Sequence, residues 1–166
     1  HFKRAIRGAK RGQGPAWQSN ELPFMRLGEL PAGVNPLVDG GPCCPQRLAV
    51  VASWWLLREI EVASLIVSSV AFDGDTATLT LAASKNDPEG KGTSRSLSCA
   101  CDVGSSALCP FHVIALQIEW TRARATQLGK PAESMPVFPT VDGSVALKRH
   151  CAATIVEMAR SLGLPL

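Results

Sequence analysis

The chain has 166 residues and a mass of 17.6 kDa, with 46% apolar and 19% charged side chains, which excludes disordered, collagenous and coiled-coil polypeptides and suits one domain with a sizeable core. Its longest uncharged apolar run covers residues 48–57, far short of the roughly 20 residues a bilayer span needs, and no signal peptide opens it. The net charge of +3 is uneven: Lys3, Arg4, Arg7, Lys10 and Arg11 precede the first acid, Glu21, and the rest holds twelve basic and fourteen acidic residues.

The chain begins at His1 rather than at a methionine, which reads as a fragment of something longer. Residues 1–20 form a basic arm or linker punctuated by Gly8, Gly12, Gly14 and Pro15. Five cations without an acid are attracted to phosphate, so Lys3, Arg4, Arg7, Lys10 and Arg11 are the candidate DNA-binding residues. The same run also suits a solvated helix face or an expression remnant. Residues 21–166 form the body. Proline and glycine dominate as far as residue 45, leaving room for a short helix over 21–30. From Gln46 to Leu65 near-continuous apolarity predicts a helix buried on most sides, too long for one strand. Residues 66–72 are β-branched and strand-like, Asp73-Gly74-Asp75 is a turn, and 76–81 alternates as a half-buried strand does. The stretch 84–92 is a long hairpin loop and 95–101 returns as a third strand. Pro110 opens a helix running to about 127. Residues 131–139 are loop, and 145–162 is a last helix stopped by Gly163. The expected class is α+β: a mostly helical body with a three-stranded antiparallel meander over 66–101.

Two groups of residues point to chemistry. Arg58 lies in a strongly apolar segment, Trp54-Trp55-Leu56-Leu57-Arg58-Glu59-Ile60-Glu61, where a guanidinium is costly unless a partner fixes it. Glu61, three positions on, shares its helical face. The pair is either structural, or an arginine held ready for a phosphate that its planar fork can grip in two places. The second group is Cys99-Ala100-Cys101 with Cys109-Pro110-Phe111-His112. Three thiolates and an imidazole complete a tetrahedral Cys₃His site for a structural zinc, and a one-residue gap on a strand turns Cys99 and Cys101 to one face. Buried, metal-free thiols are the other reading. Six cysteines in an apolar chain with no export signal are expected to be reduced, in a nuclear or cytoplasmic protein.

Arg58 followed by Glu61, between an apolar helix and a leucine before a β-meander, resembles the first arginine motif of tyrosine recombinases, the phage-integrase-like enzymes. The resemblance continues with Lys85 between the second and third strands, Cys109-Pro110 opening a helix, Val137-Phe138-Pro139, and a helix over 145–162. It covers about residues 20–166. It implies an integrase-like catalytic core, double-stranded DNA as partner, self-association of the full-length protein, and a role in recombination or integration of a mobile element. It further implies that Arg58, supported by Glu61, neutralises charge on the nonbridging phosphate oxygens, and that Lys85 protonates the departing 5′ oxygen. That chemistry needs no cofactor. Without the resemblance Lys85 is a solvated lysine on a hairpin tip, and Lys91 is a second candidate on the same loop. The family's His-x-x-Arg motif and tyrosine nucleophile would follow Leu166. His150 does not stand in for the former, since Ala153 occupies the position three residues on. The chain contains no tyrosine at all, so it is expected to be inactive alone. A different class of function is a noncatalytic nucleic-acid- or protein-binding module built around the zinc site.

Overall fold

The computed structural model describes residues 22–81, 92–103 and 106–165, across which four α-helices surround one three-stranded antiparallel sheet. The α+β class expected from the sequence is the class found. The short helix near the start is a 3-10 helix, Phe24–Glu29.

The helix expected over residues 46–65 is two helices. Helix α1 spans Pro45–Trp54 and α2 spans Glu59–Ser64. Pro45 can begin α1 because the first helical residue has no use for an N–H. At the far end the Leu57 N–H donates to the Ala52 carbonyl at 2.9 Å and the Leu56 N–H to the Ser53 carbonyl at 3.4 Å. This is a Schellman closure, whose left-handed position normally belongs to glycine. Leu56 fills it at φ 51°. With no glycine to announce the stop, the apolar pattern reads straight through the break.

Strand β1 is Val70–Asp73, β2 is Thr76–Leu81 and β3 is Thr93–Ser98, in the order β1-β2-β3. The first strand starts later than expected because Ile66 pairs with Pro136 instead and Val67–Ser69 forms a 3-10 turn. Gly74, at φ 55°, supplies the left-handed residue of the tight turn between β1 and β2. Ala77, Leu79 and Leu81 face the core. On the other face the hydroxyls of Thr76, Thr78 and Thr80 pair with those of Ser98, Ser96 and Ser94 at 2.8, 2.8 and 3.1 Å. Arg95, opposite Leu79, points inward and closes the helix break. Its guanidinium donates to the carbonyls of Trp55 and Leu56, while the Trp55 indole N–H donates to the Arg95 carbonyl at 3.1 Å. A cation there also answers the negative end of α1.

Helix α3, Pro110–Leu128, crosses the back of the sheet and of α1, and Gly129 ends it at φ 63°. Its buried Gln117 and Thr121 both donate to the Val137 carbonyl, at 2.7 and 2.9 Å, fixing the loop that carries Phe138 and Pro139. Helix α4, Lys148–Ser161, starts three residues later than expected, since Val145 pairs with Pro139 and Leu147 is extended. Trp55, Leu79, Ile114, Phe138 and Met158 are nearly inaccessible at the centre of the core. Each fully buried aliphatic or aromatic side chain of this kind contributes about 1.5–3 kcal/mol. No helix among the described residues is long and apolar enough to cross a membrane.

Candidate metal centre

The four residues proposed as zinc ligands come from two places that the fold brings together. Cys99 lies one residue beyond β3, and its N–H donates to the Asp75 carbonyl in the β1–β2 turn at 2.9 Å. Cys101 opens a 3-10 turn, Cys101–Val103. The third strand therefore stops at Ser98, and the two cysteines do not converge by strand alternation as expected. They converge because the chain leaves the sheet and turns after Cys99. Cys109 is the N-cap of α3, and its carbonyl receives the Val113 N–H at 3.0 Å. His112 follows in the first turn, at the three-residue spacing that puts it on the same helical face as Cys109.

The His112 Nδ1 lies 3.3 Å from Cys101 Sγ, 3.3 Å from Cys109 Sγ and 3.7 Å from Cys99 Sγ. Cys109 Sγ is 3.7 Å from Cys99 Sγ, and all four ligand atoms lie within 4.8 Å of one another. A tetrahedral zinc with sulfur at about 2.3 Å and nitrogen at about 2.0–2.1 Å has edges of about 3.8 Å between sulfurs and about 3.6 Å between sulfur and nitrogen. The Cys99–Cys109 edge matches that figure, and the three sulfur–nitrogen edges lie within about 0.3 Å of it. The donors are close enough to hold a metal ion.

The surroundings suit thiolate. The Ala100 N–H donates to Cys109 Sγ at 3.2 Å, the kind of outer contact that orients a ligand. Burial would raise the Cys109 thiol, but the N–H groups of His112 and Ala100, the imidazole and Cys99 outweigh it and bring the pKa to about 6. Cys101 is pushed up to about 12, first by Cys99, then by burial and by Cys109. Three thiols so close do not ionise together without a compensating cation. Phe111 packs edge-on against His112 with ring centroids 5.4 Å apart, and Phe72 packs edge-on against Phe111 at 5.9 Å, walling one side with hydrocarbon.

The chain matches no protein-family model, no curated protein and no solved structure.

The remaining cysteines are of another kind. Cys43, Cys44 and Cys151 are buried. Burial raises all three thiols, Cys44 to about 11, so they behave as small core residues rather than nucleophiles.

Arg58 is exposed and sits at the N-cap of α2. Glu61 does not hold its guanidinium. Glu61 Oε2 instead accepts the Arg58 backbone N–H at 2.7 Å, and the Glu61 N–H returns to the Arg58 carbonyl at 2.9 Å. The reason is local. A helix start has backbone N–H groups without partners, and a carboxylate in the first turn satisfies one of them. The guanidinium is left to the solvent, with no ion pair among the described residues. Lys85, Lys91 and the arm residues Lys3, Arg4, Arg7, Lys10 and Arg11 lie outside the described residues.

Two contributors were not foreseen from sequence. Arg95 gave no signal, because a lone arginine in an alternating strand reads as solvent-facing. The Lys148-Arg149-His150 run drew no reading from the sequence, and the fold pairs its Lys148 with Glu59 at 2.9 Å.

Proposed function

We propose that the chain is a DNA-binding part of a strand-exchange domain of the tyrosine-recombinase type, with its meander stapled to its central helix by one zinc ion. Cys99, Cys101, Cys109 and His112 would hold that ion. Zinc there supplies structure rather than reaction chemistry, since four protein ligands leave no open position for a substrate. The observation that carries this part is the convergence of four donor atoms within 4.8 Å of one another, close to the edges of a zinc tetrahedron.

The recombinase reading is supported by Arg58. It stands at the start of a short helix with its backbone fixed by Glu61 and its guanidinium without an ion pair among the described residues, ahead of a three-stranded meander whose second connection contains Lys85. Arg58 would neutralise charge on the nonbridging oxygens of a phosphodiester, and Lys85 would give a proton to the leaving oxygen. The arm and the body would bring duplex DNA to that point, in a protein that self-associates in its full-length form and works in the nucleus or cytoplasm. A second reading, a noncatalytic nucleic-acid- or protein-binding module, is favoured by the ligand set alone, which needs no catalytic partner.

Covalent cleavage in this family needs a phenolic oxygen, and the chain has none. Catalytic groups that act as a unit do not contribute piecemeal. On a nicked suicide duplex the protein is therefore expected to shift the DNA at low salt without leaving a denaturation-resistant adduct. Failure to bind the duplex at low salt overturns the recombinase reading. An adduct would show that a different nucleophile is at work.

A further inference from the structure

One face of the body gathers cations that its overall charge does not lead one to expect. From Glu21 onward acids outnumber bases, yet α2 and the first turn of α4 bring Arg58, Lys148 and Arg149 to the surface, all exposed. Glu59 braces them. Its Oε1 lies 2.9 Å from Lys148 Nζ. Lys148 first, then Glu59's own N–H, and more distantly Arg58, keep this carboxyl below its ordinary range. Arg149 Nε donates to His150 Nε2 at 3.1 Å, and His150 Nδ1 meets the Gly40 carbonyl at 3.0 Å. The first turn of α4 contains no acid, and the nearby acids of α2 are Glu59, paired with Lys148, and Glu61, bonded to the Arg58 backbone. Lys148 and Arg149 also border a wide-mouthed concavity of about 450 Å³ with Leu147 and Ala152 on its walls.

Like charges at adjacent positions repel, and cations in the first turn of a helix face the positive end of its dipole. A polyanion relieves that repulsion. Arginine forks grip phosphate oxygens in two places and a lysine serves as a point charge. Cations spread over two elements suit an extended array of phosphates better than a single anion. We infer that Arg58, Lys148 and Arg149 form a phosphate-contacting face for duplex DNA, with Glu59, the neighbour of Arg58 in sequence, holding Lys148 on it. This inference rests on the DNA-binding reading above and adds residues of α4 to it.

The test is fluorescence anisotropy of a labelled duplex titrated with the full chain over a salt series. Each phosphate contact contributes about 0.9 to the slope of log affinity against log salt. Lys148→Gln with Arg149→Gln should weaken binding several-fold and flatten that slope by about 2, near one unit per contact. Arg149→Gln alone, which leaves the Glu59–Lys148 pair intact, should flatten it by about 1. Thermal melts identify any variant that fails to fold, and the single substitution then decides. Wild-type binding with an unchanged slope in the folded Arg149→Gln variant overturns this face while leaving the DNA reading standing. Absence of wild-type binding at low salt overturns both.

Discussion

At φ 51° Leu56 occupies backbone space that L side chains avoid, and its own side chain is 80% exposed. It gives up conformational freedom there without gaining much burial. A non-glycine residue held in that region costs about 1 kcal/mol or more, and glycine adopts it freely. Leu56→Gly is therefore expected to raise stability by about 0.5–1 kcal/mol in urea unfolding, after the entropy of a freer unfolded chain is set against the relieved strain. A loss of stability would mean that the side chain packs on something of weight. The same residue shows why the sequence misplaced a boundary. Hydrophobic periodicity carries no mark for a helix stop made by leucine, so residues 46–65 read as one helix. Arg58 and Glu61 were legible as neighbours from their spacing, but which part of Arg58 the carboxylate would take was not. Spacing gives proximity on a helix face, and only the cap geometry shows that the backbone N–H is the group without a partner.

Between Pro139 and α4 the chain makes a turn fastened by one carboxylate. Asp142 accepts from the Thr140 hydroxyl, from the Ser144 N–H at 3.3 Å and from the Ser144 hydroxyl at 2.8 Å. Gly143, at φ 81°, allows the backbone to close. The Thr140 hydroxyl first, then the Ser144 groups, bring the Asp142 carboxyl to about 2. Its folded value is thus depressed. The stability it contributes is fully present above the unfolded value of about 4 and is lost as pH falls toward about 2. Asp142→Asn should accordingly unfold at lower denaturant than wild type at about pH 6, with the gap closing as the pH approaches about 2. A gap that stays constant with pH would show that the charge of Asp142 is not what holds the turn. The meander was legible in the sequence, through alternation in 76–81 and the Asp-Gly turn. The ends of β1 and β3 were not, because Ile66 is taken by Pro136 and Cys99 by Asp75, pairings fixed by distant parts of the chain.

Taken whole, the molecule ties its sheet to its helices at two points of different chemistry. The Arg95–Trp55 contacts fasten β3 to the end of α1. The cluster of Cys99, Cys101, Cys109 and His112 fastens the far end of the same strand to the start of α3. The cluster was legible in the sequence as a ligand set, although strand alternation was the wrong reason for its convergence. Its loop is short, and a helix opening with Cys-Pro fixes Cys109 and His112 three residues apart. The pairing of Lys148 with Glu59 was not legible, since nothing in the sequence spacing brings the start of α4 to α2. A metal at the cluster would make the second fastening a folding constraint rather than a weak set of thiol contacts. Elemental analysis of protein purified under reducing conditions without chelator tests this most directly. The account predicts about one zinc per chain, as four protein ligands closing a single site require, and loss of that zinc in Cys109→Ala. Fully reduced, folded protein containing no zinc, or zinc retained unchanged in Cys109→Ala, would contradict it.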